Sequence, residues 1–599
     1  MKELTQKKIT MKTLNNIINK GILGAAVALS GLGAASCGDM LDLKPQGVLM
    51  AEQIGEEAAL DLMTSAYSTL MNHYFGNNES FAGPINNWVI DLRSDDALKG
   101  GADVTMEDYM HQMEIGTIYS NNAIINDKWL NNYFSISRCN TAISSILASE
   151  SLDNELKQSY VAEMKTLRAY YYFDMLRLFQ KFPYIDETMV ADEVPAGNYT
   201  REQVADAIRK DLKDSYEILP EIQDLPGRFN KYVAAAILAR VDVFTATTIY
   251  GNSSSIWNEV EQYCGYIIGS GQYQLYKKFQ YISLPDYNNM DESVFAVQFS
   301  SANQGAMYNF NNCLNCTWSE KNIYGNGDDF YLGSQDLANA FRTNDQGLPY
   351  INGVTSAYTG NDIVNRVDGI EAALPVYNGN VDPRLDLTLG RIGVYWRANP
   401  ANNSQMYMYN EKWCRNYALY GQFSGKKPYP APYNPAVEVG IVPWGASSLN
   451  YIIIRYADIL LMQAEAIVEQ GDAGRLGDAI ALVNQVRQRA ADSFDLNFVP
   501  LDFNASKVNY AVSPYPVTGW TVEAARQAVR AERRLEFAME GLRWFDLLRW
   551  GTVQDVVTDY YRYESQFQPY YNGASLNSSS YYFPIPLAQV DNSNGLYKD

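Results

Sequence analysis

Apolar residues recur every three or four positions in two long blocks of the chain, separated by a segment of different texture. The first block covers about residues 51–270 and the second about residues 451–550. In the first block, one stripe continues from Val161 to Phe182, and Pro183 follows it. This spacing is that of one face of an amphipathic helix that ends near the proline. The first block is therefore predicted to be helical.

Start and stop signals divide the rest of the first block into helices. Thr200 is followed three residues later by Gln203, a pair that predicts a capping box at a helix start. That helix is expected to end before Pro220. Another is predicted from about Lys231 onward, with Gly251 as its stop signal.

The second block contains three alanine-rich stripes, over 457–468, 479–490 and 524–542. Helices that carry many small residues and short turns pack closely as stacked hairpins. A strict 34-residue tetratricopeptide consensus is absent, so the hairpins are predicted to be a degenerate version. The fold class expected is mostly α, with tetratricopeptide-like helical hairpins and a loop-rich half that contains short strands.

The segment between the blocks, about residues 300–450, is dominated by Asn, Gly, Tyr and Pro, as in NGNVDPRLDLTLG and SGKKPYPAPYNP. Its many aromatic residues favour ordered loops with short strands over disorder. Long loops on a rigid scaffold usually carry binding function. Residues 300–450 are therefore predicted to form an insert that binds the ligand.

The first 36 residues have the layout of a secretory signal that is removed from the mature protein. They carry five lysines and one glutamate, and the stretch 21–36 has no charge. Ala34, Ala35 and Ser36 directly before Cys37 resemble a bacterial lipobox, although a large aliphatic residue is usual where Ala34 stands. The prediction is a lipidated Cys37, a tether over 37–50 and a single domain over 51–599. The alternative is an ordinary signal followed by a chance cysteine.

The net charge of the chain narrows the classes of molecule that it is expected to bind. Removal of residues 1–36 changes the formal charge from −21 to −25. Binding of nucleic acid needs lysine and arginine to displace counterions, so no nucleic-acid partner is expected. No apolar run of 18 residues follows Cys37, so the lipid is the expected contact with the membrane.

Motifs for nucleotide, metal or nucleophilic chemistry are missing from the sequence. There is no G-x-S-x-G, G-x-G-x-x-G or H-E-x-x-H, and GQFSGKK over 421–427 has the wrong spacing for a P-loop. The Cys313–Cys316 pair lacks a second C-x-x-C for zinc, which leaves a loop disulfide or two ordinary thiols. No metal and no cofactor are expected. Paired carboxylates, such as Asp95 with Asp96 in RSDDALKG, keep a glycoside hydrolase as a lesser alternative.

Glu532, Glu536 and Glu540 are spaced four residues apart in the segment RAERRLEFAMEGLRWFDLLRWG. Like charges stacked on one helix face repel each other and need cationic partners. The favoured interpretation is an ion-pair network that holds packed helices together, with nearby tryptophans in the core. The arginines offered as partners are Arg455, Arg487, Arg489, Arg533, Arg534, Arg543 and Arg549.

Taken together, these segments resemble the SusD/RagB family of outer-membrane nutrient-binding lipoproteins. The resemblance rests on the joint order of its motifs along nearly the whole chain. The motifs are CGDMLDLKPQG, RCNTAI, AEMKTLRAYYYFDMLRLFQKFP, TREQVADAIRKDLKDSYEILP, GRFNKYVAAAILARVDVF, VDPRLDLTLG, RYADILLMQAEAIVEQG, IALVNQVRQRA, ERRLEFAMEGLRWFDLLRWG and FPIPLAQVDNSNG.

The resemblance implies a binding protein and not an enzyme. It implies a surface lipoprotein that captures oligosaccharide and delivers it to a SusC-like TonB-dependent transporter, over which it acts as a lid. A peptide-binding member of the same family is the alternative.

Aromatic side chains cover sugar faces and polar groups read sugar hydroxyls, and this chain has 45 Tyr and 10 Trp. Trp88 and Trp318 are the main candidates, because the resemblance places ligand-binding aromatics in these two regions. The other predicted binding residues are Tyr308, Tyr324, Tyr331, Trp396, Asn87, Arg93 and Asp95.

Overall fold

Helices form most of the regular structure in the computed structural model of the protein. The structure describes residues 51, 54–71, 79–300, 309–318, 327–350, 362–363, 377–396, 409–430, 447–493 and 508–597. These residues all belong to one compact unit, Ala51–Asp599. The predicted mostly α fold class is confirmed. Cys37, Tyr308 and Tyr324 lie outside the described residues.

The helices follow the two predicted blocks. In the first block they are α1 (Glu56–Tyr67), α2 (Glu79–Ala82), α3 (Trp88–Asp91), α4 (Asp108–Glu114), α5 (Ala123–Ala148), α6 (Asn154–Leu178), α7 (Arg201–Ile218), α8 (Lys231–Thr248) and α9 (Ser254–Ser270). In the intervening segment they are α10 (Gln335–Ala340), α11 (Arg384–Thr388) and α12 (Tyr417–Tyr420). In the second block and beyond they are α13 (Tyr456–Glu469), α14 (Leu476–Asp492), α15 (Val522–Phe537), α16 (Arg543–Arg549), α17 (Val553–Glu564) and α18 (Leu587–Asn592).

Over the described residues, the strands are short and form three separate two-stranded sheets. They are β1 (Ala97–Gly100), β2 (Ser293–Val297), β3 (Phe330–Gly333), β4 (Asn380–Val381), β5 (Tyr451–Arg455) and β6 (Asn509–Tyr510). β1 pairs with β3 and β2 with β5, both antiparallel, whereas β4 and β6 are parallel. Each sheet therefore joins residues that lie far apart in sequence.

The helix-end signals read from the sequence are confirmed. Thr200 Oγ1 accepts a hydrogen bond from the Gln203 backbone N–H at 3.2 Å, and Gln203 Oε1 accepts one from the Thr200 backbone N–H at 2.8 Å. This reciprocal pair is the capping box at the start of α7. α7 ends at Ile218, before Pro220. Gly251, after α8, has a φ of +62°, as a helix stop requires.

The extent of α6 differs from the expectation. The helix begins at Asn154, where Asp153 accepts a hydrogen bond from the Leu156 backbone N–H at 2.8 Å, and ends at Leu178, short of Phe182. Nearly every side chain of the helix from Tyr160 to Leu178 is buried. A helix that is buried on all sides carries no clean polar stripe, so apolar spacing alone placed its ends poorly.

The prediction of one continuous helix over the stripe 524–542 is wrong. α15 ends at Phe537, and a turn precedes α16. Met539 has a φ of +62° and Gly541 a φ of +74°, both in the left-handed region that interrupts a right-handed helix. Glu540 therefore lies in this turn and not on the face of α15.

Helix packing joins the two blocks into one stack. Consecutive helices from α5 to α9 pack against each other as neighbours, and α9 packs directly against α13 of the second block. α13, α14 and α15 then contact one another. Hairpin follows hairpin, as expected for a tetratricopeptide-like arrangement. No helix over the described ranges is long and apolar enough to cross a bilayer.

Candidate functional site

A cavity of about 100 Å³ lies where the two blocks and the intervening segment meet. Strand β5, the turn between α15 and α16, and the segments 85–88 and 309–312 border it. Glu540 keeps 23% of its side chain exposed, so solvent reaches this wall. The lining residues are Ile85, Asn87, Trp88, Tyr170, Arg177, Arg240, Ile282, Asn309, Asn312, Tyr331, Lys427, Pro428, Leu449, Asn450, Tyr451, Ile452, Ile453, Arg455, Met539, Glu540 and Leu542.

Trp88 forms the aromatic part of the cavity wall at the start of α3. It is 3% exposed, and its ring packs edge-on against Phe81, with the centroids 5.6 Å apart. Tyr331 lies on its other side, with a centroid distance of 5.4 Å. The indole Nε1–H donates to the Asn311 carbonyl oxygen at 3.1 Å. These contacts fix the ring, so Trp88 can offer a ligand an edge that is already in position.

The segment 309–312 closes the cavity because it is held from two directions. Its Asn311 carbonyl accepts from Trp88, as above, and also from the Asn86 amide at 3.1 Å. On the other side, the Asn309 backbone N–H donates to the Ser447 carbonyl oxygen at 2.8 Å. These bonds attach the loop-rich insert to α3 and join its first part to its last part.

Backbone strain marks the same cavity. Tyr331 has a φ of +54° and Met539 a φ of +62°, and both side chains line the cavity. Bulky residues avoid the left-handed region, and each instance costs on the order of 1–3 kcal/mol. Such strain persists where surrounding structure imposes it, and it clusters at functional sites. The observation favours a binding role for this cavity.

Tyr331 is also tied to a buried carboxylate. Its hydroxyl donates to Asp91 Oδ2 at 2.8 Å, and the Arg543 backbone N–H donates to Asp91 Oδ1 at 3.1 Å. Burial raises the pKa of Asp91, and the charge of nearby Asp96 raises it further. The tyrosine is therefore locked in place by the end of α3 and the start of α16.

The opposite wall is charged. Glu540 Oε1 pairs with Arg455 Nη2 at 2.9 Å and with Lys427 Nζ at 2.5 Å. Lys427 also donates to the Glu536 carbonyl oxygen at 2.7 Å. Burial lowers the pKa of Lys427 to about 8, although Glu540 opposes this shift. Lys427 comes from the segment GQFSGKK, whose spacing does not match a P-loop and which was not predicted to belong to the site.

The ion-pair interpretation of the three glutamates is confirmed. Glu532 pairs with Arg384 at 2.7 Å and with Arg487 at 3.0 Å. Glu536 pairs with Arg384 at 2.9 Å and also with Arg455 and Arg489. Arg384 and Lys427 were missed as partners, because both come from the intervening segment and only tertiary packing brings them here.

Four of the arginines offered as partners instead pair with other acids, which corrects that part of the expectation. Arg533 pairs with Asp458 and Asp546, Arg534 with Asp95, Asp96 and Asp336, Arg543 with Asp95, and Arg549 with Glu465 and Asp546. Of the nearby tryptophans expected in the core, Trp544 is buried there, whereas Trp550 is half-buried.

The charge of Arg177, on α6, is less neutralised by nearby carboxylates than that of the other described cations in the cavity wall. Its Nη2 donates to Asp174 Oδ1 at 3.0 Å. The same carboxylate also pairs with Lys128, at 3.4 Å, so two buried cations share one anion. Nε of Arg177 has no hydrogen-bond partner among the described residues. Burial lowers the pKa of Arg177, and Asp174 opposes this only in part.

Trp318 stands apart from the cavity, on the exposed side of the insert. Its side chain is 40% exposed, and the Arg415 guanidinium lies 4.6 Å from its ring centroid. Arg415 also pairs with Asp328, and its backbone N–H donates to Asp329 Oδ2 at 3.0 Å. Burial raises the pKa of Asp329 to about 7. Trp318 thus offers an accessible, supported aromatic face.

The predicted binding residues separate into two groups. Asn87, Trp88 and Tyr331 come together on the cavity, and Trp318 is accessible elsewhere. Asn87 Oδ1 accepts from Lys128 Nζ at 3.0 Å. For these four residues, ligand binding stays a prediction.

Trp396, Arg93 and Asp95 are buried and contact other side chains of the protein. Trp396 is 1% exposed and stacks on Tyr409 with centroids 5.5 Å apart. The Arg93 guanidinium lies 3.8 Å from the Trp544 ring centroid. Burial by itself would raise the pKa of Asp95, but its two arginine partners lower it. A carboxylate held ionised in the interior is poorly suited to donate a proton to a glycosidic oxygen. Ligand binding by these three residues stays a prediction.

Over the described residues, no group of three or more His, Cys, Asp or Glu side chains is arranged to hold a metal ion. Cys139, Cys264 and Cys414 are buried free thiols. The side chain of Cys313 lies outside the described part of the chain, so both interpretations of the C-x-x-C pair, a loop disulfide or two ordinary thiols, stay predictions.

Comparison with known proteins gives two family matches that together cover most of the chain. Residues 291–599 match the model of the SusD family. Residues 41–243 match a model described as starch-binding associating with the outer membrane. SusD-like protein P25 of Formosa agariphila is 22% identical over 577 residues, which is 93% of this chain and 94% of that protein.

Solved structures share the fold. Surface glycan-binding protein A from Bacteroides fluxus superposes with a TM-score of 0.62 at 21% identity, covering 90% of this chain and 96% of that one. Surface glycan-binding protein A from Bacteroides thetaiotaomicron, solved in complex with laminarihexaose, gives a TM-score of 0.61 at 20% identity, covering 90% and 98%. The hairpin stack and the loop-rich half therefore form a known architecture.

Proposed function

Because the chain belongs to the SusD family, we propose that it binds oligosaccharide at the outer surface of the outer membrane and delivers it to a SusC-like TonB-dependent transporter as a lid. Cys37 would carry the lipid that anchors it. The protein would bind and release its ligand without turnover. A relative of the same fold was solved with laminarihexaose, which supports a glycan as the ligand class.

The observation that carries the proposal is the meeting of Trp88, Tyr331 and Asn87 on one cavity. Sugar rings present apolar C–H faces and hydroxyl edges, so an aromatic side chain and an amide in one wall match both parts. Trp318, exposed on the insert, adds a second aromatic face for a longer chain. Because the ligand must be handed on, we expect a Kd of roughly micromolar to millimolar.

A titration of the lipid-free chain, from residue 38 onward, against a panel of oligosaccharides tests the site. Trp318→Ala should weaken the best ligand about fivefold, the loss expected from about 1 kcal/mol of stacking. Trp88→Phe should also weaken it, since the smaller ring leaves part of the cavity wall empty and removes one of the two hydrogen bonds to the Asn311 carbonyl. Phenylalanine is preferred over alanine because truncation of a buried tryptophan costs about 3–5 kcal/mol of stability.

Trp520→Ala is the matched control, because this tryptophan is half-buried near α15, and its indole donates only to the Pro516 carbonyl oxygen. It should leave binding unchanged. If the variants at 88 and 318 bind the best glycan as tightly as the wild type, the site assignment is wrong. If short peptides bind and no glycan does, the peptide-binding alternative replaces the proposal.

The anchor and the transporter partnership need separate experiments in cells. Labelling with a palmitate analogue should mark the wild type and not Cys37→Ala. A TonB-dependent transporter should co-purify with the wild type from outer membranes. Labelling that survives in Cys37→Ala argues against the anchor, and purification without any transporter argues against the lid role.

A further inference from the structure

We propose that the cavity beside Trp88 takes an acidic sugar, whose carboxylate or sulfate oxygen is bound by Arg177. The inference rests on the proposed function, because it names the class of glycan for the same site. Its starting observation is the composition of the wall. Among the described residues, four cationic side chains line the cavity, together with one carboxylate, that of Glu540. The cations are Arg177, Arg240, Lys427 and Arg455.

Most of these cations are neutralised by their own partners. Arg240 donates from Nε to Asp458 Oδ2 at 3.0 Å. Arg455 and Lys427 share Glu540 and belong to the network around Glu536. They give the wall its polarity but leave little charge for a ligand. Glu540, held between two cations, is likewise prevented from repelling an anion strongly.

Arg177 differs from the others in charge balance. It shares Asp174 with Lys128, so this part of the wall carries two buried cations against one carboxylate. Asp174 is further occupied by the Asn132 amide, which donates to Oδ2 at 3.0 Å. Arg177 is 4% exposed, and its Nε has no described partner. Two buried cations that share one carboxylate are costly, and an anionic group of a ligand would offset that cost.

The packing of Arg177 also favours recognition of an oxyanion. Its guanidinium lies 4.5 Å from the Phe173 ring centroid and 4.1 Å from that of Phe545. Because the two phenylalanine rings lie against the Arg177 guanidinium, the N–H groups in the plane of the guanidinium are the ones available for hydrogen bonds. Those N–H groups match the geometry of carboxylate and sulfate oxygens. Lys128, behind Asn87, adds positive potential from the second layer.

The overall charge of the chain makes the proposal testable. With a formal charge of −21 for the full sequence, the protein repels acidic polymers in general. Screening at physiological salt confines that repulsion to about 8 Å, so a local cation still acts. Tight binding of an acidic glycan would therefore report a specific contact and not general attraction.

The test uses affinity electrophoresis and calorimetry with two sets of polymers. The acidic set is polygalacturonate, alginate and chondroitin sulfate, each paired with its carboxyl-reduced or desulfated derivative, and the neutral set is laminarin, starch and xylan. We expect the tightest ligand to be acidic. Its reduced or desulfated derivative should bind at least tenfold more weakly, about 1.4 kcal/mol. Which derivative loses binding tells a carboxylate from a sulfate.

Variants then assign the contact. Arg177→Gln should weaken the acidic ligand at least tenfold and leave binding of its neutral derivative within twofold. Arg177→Lys, which keeps the charge, should retain more of the binding than Arg177→Gln. Arg562→Gln is the matched control, because its side chain is 74% exposed and it makes the same change in net charge.

The outcomes distinguish failure of the acidic-sugar inference from failure of glycan binding itself. If the tightest ligand is neutral, or if Arg177→Gln weakens acidic and neutral forms equally, the acidic-sugar inference is overturned and glycan binding stands. If no polymer of either set binds, glycan binding itself is overturned. The comparison of native and derivatised polymer uses the wild-type protein, so the inference is decided even if Arg177→Gln fails to fold.

Discussion

Loss of one buried charge at Glu536 should destabilise the protein far more than loss of an exposed charge on the same helix. Glu536 is fully buried on α15 and is contacted by Arg384, Arg455 and Arg489. Glu536→Gln keeps the shape of the side chain but leaves three guanidinium groups short of an anion. Removing one partner from a buried ion pair costs about 3–5 kcal/mol. That is a large part of the 5–15 kcal/mol by which folded proteins are stable.

Glu523→Gln is the matched control. Glu523 lies in the first turn of the same helix, its side chain is 66% exposed, and it pairs with Arg526 at 2.6 Å. Exposed ion pairs contribute about 0–1 kcal/mol. Urea unfolding followed by circular dichroism at pH 7 measures both losses. A difference of less than about 1 kcal/mol between the two variants would refute the reasoning that the network around Glu536 is a buried, interdependent one.

The pH dependence of the same pair of proteins adds a second test. Burial by itself would raise the pKa of Glu536, but its cationic neighbours hold it well below the ordinary 4.5. A lowered pKa in the folded state gives stability that is fully present above the unfolded pKa and is lost as pH falls toward the folded value. The stability gap between wild type and Glu536→Gln should therefore shrink below about pH 4.5. A gap that stays constant to pH 3 contradicts a charge-based origin.

Three further expectations concern a cap, a turn and the buried thiols. Thr200→Ala should cost about 1 kcal/mol in urea unfolding, because it removes half of the capping box, and Thr200→Ser should restore it. Gly541→Ala should lower both stability and glycan affinity, since a Cβ there would lie 2.8 Å from the Asn87 carbonyl carbon, in a backbone conformation with φ +74°; unchanged binding would contradict the role of this turn in shaping the cavity. Burial raises the pKa of Cys139 to about 12 and that of Cys264 well above its ordinary value, so both should resist iodoacetamide at pH 8 until the protein unfolds; rapid labelling of the folded protein would contradict their burial.

Local chemistry in the sequence was enough for the helix boundaries that depend on neighbouring residues. The capping box of Thr200 with Gln203 and the stop at Gly251 are interactions within one or two turns, so the sequence contains all their participants. The break at Met539 and Gly541 escaped prediction, because the apolar stripe continues through it. Left-handed backbone at a methionine is imposed by surrounding contacts and leaves no local signal.

The same limit applied to the candidate site. Trp88, Trp318 and Trp396 lie in similarly polar, loop-like sequence, yet Trp318 is 40% exposed and Trp396 is 1% exposed. Exposure depends on what packs over a ring, and Tyr409 and Trp413 cover Trp396. The sequence ranked Trp396 below Trp88 and Trp318, but it could not show how much of each ring is exposed.

By itself, the sequence determined that the chain forms helical hairpins, where several of those helices start and stop, and that the glutamates of α15 need cationic partners. These features follow from spacing and from charge repulsion within one helix. Only the tertiary structure decided which side chains meet at the cavity. Trp88, Arg177, Tyr331, Lys427 and Glu540 come from five distant segments. These segments are brought together by the packing of α16 on α8 and α3 and by the pairing of β1 with β3 and of β2 with β5, and spacing along the chain cannot encode these contacts.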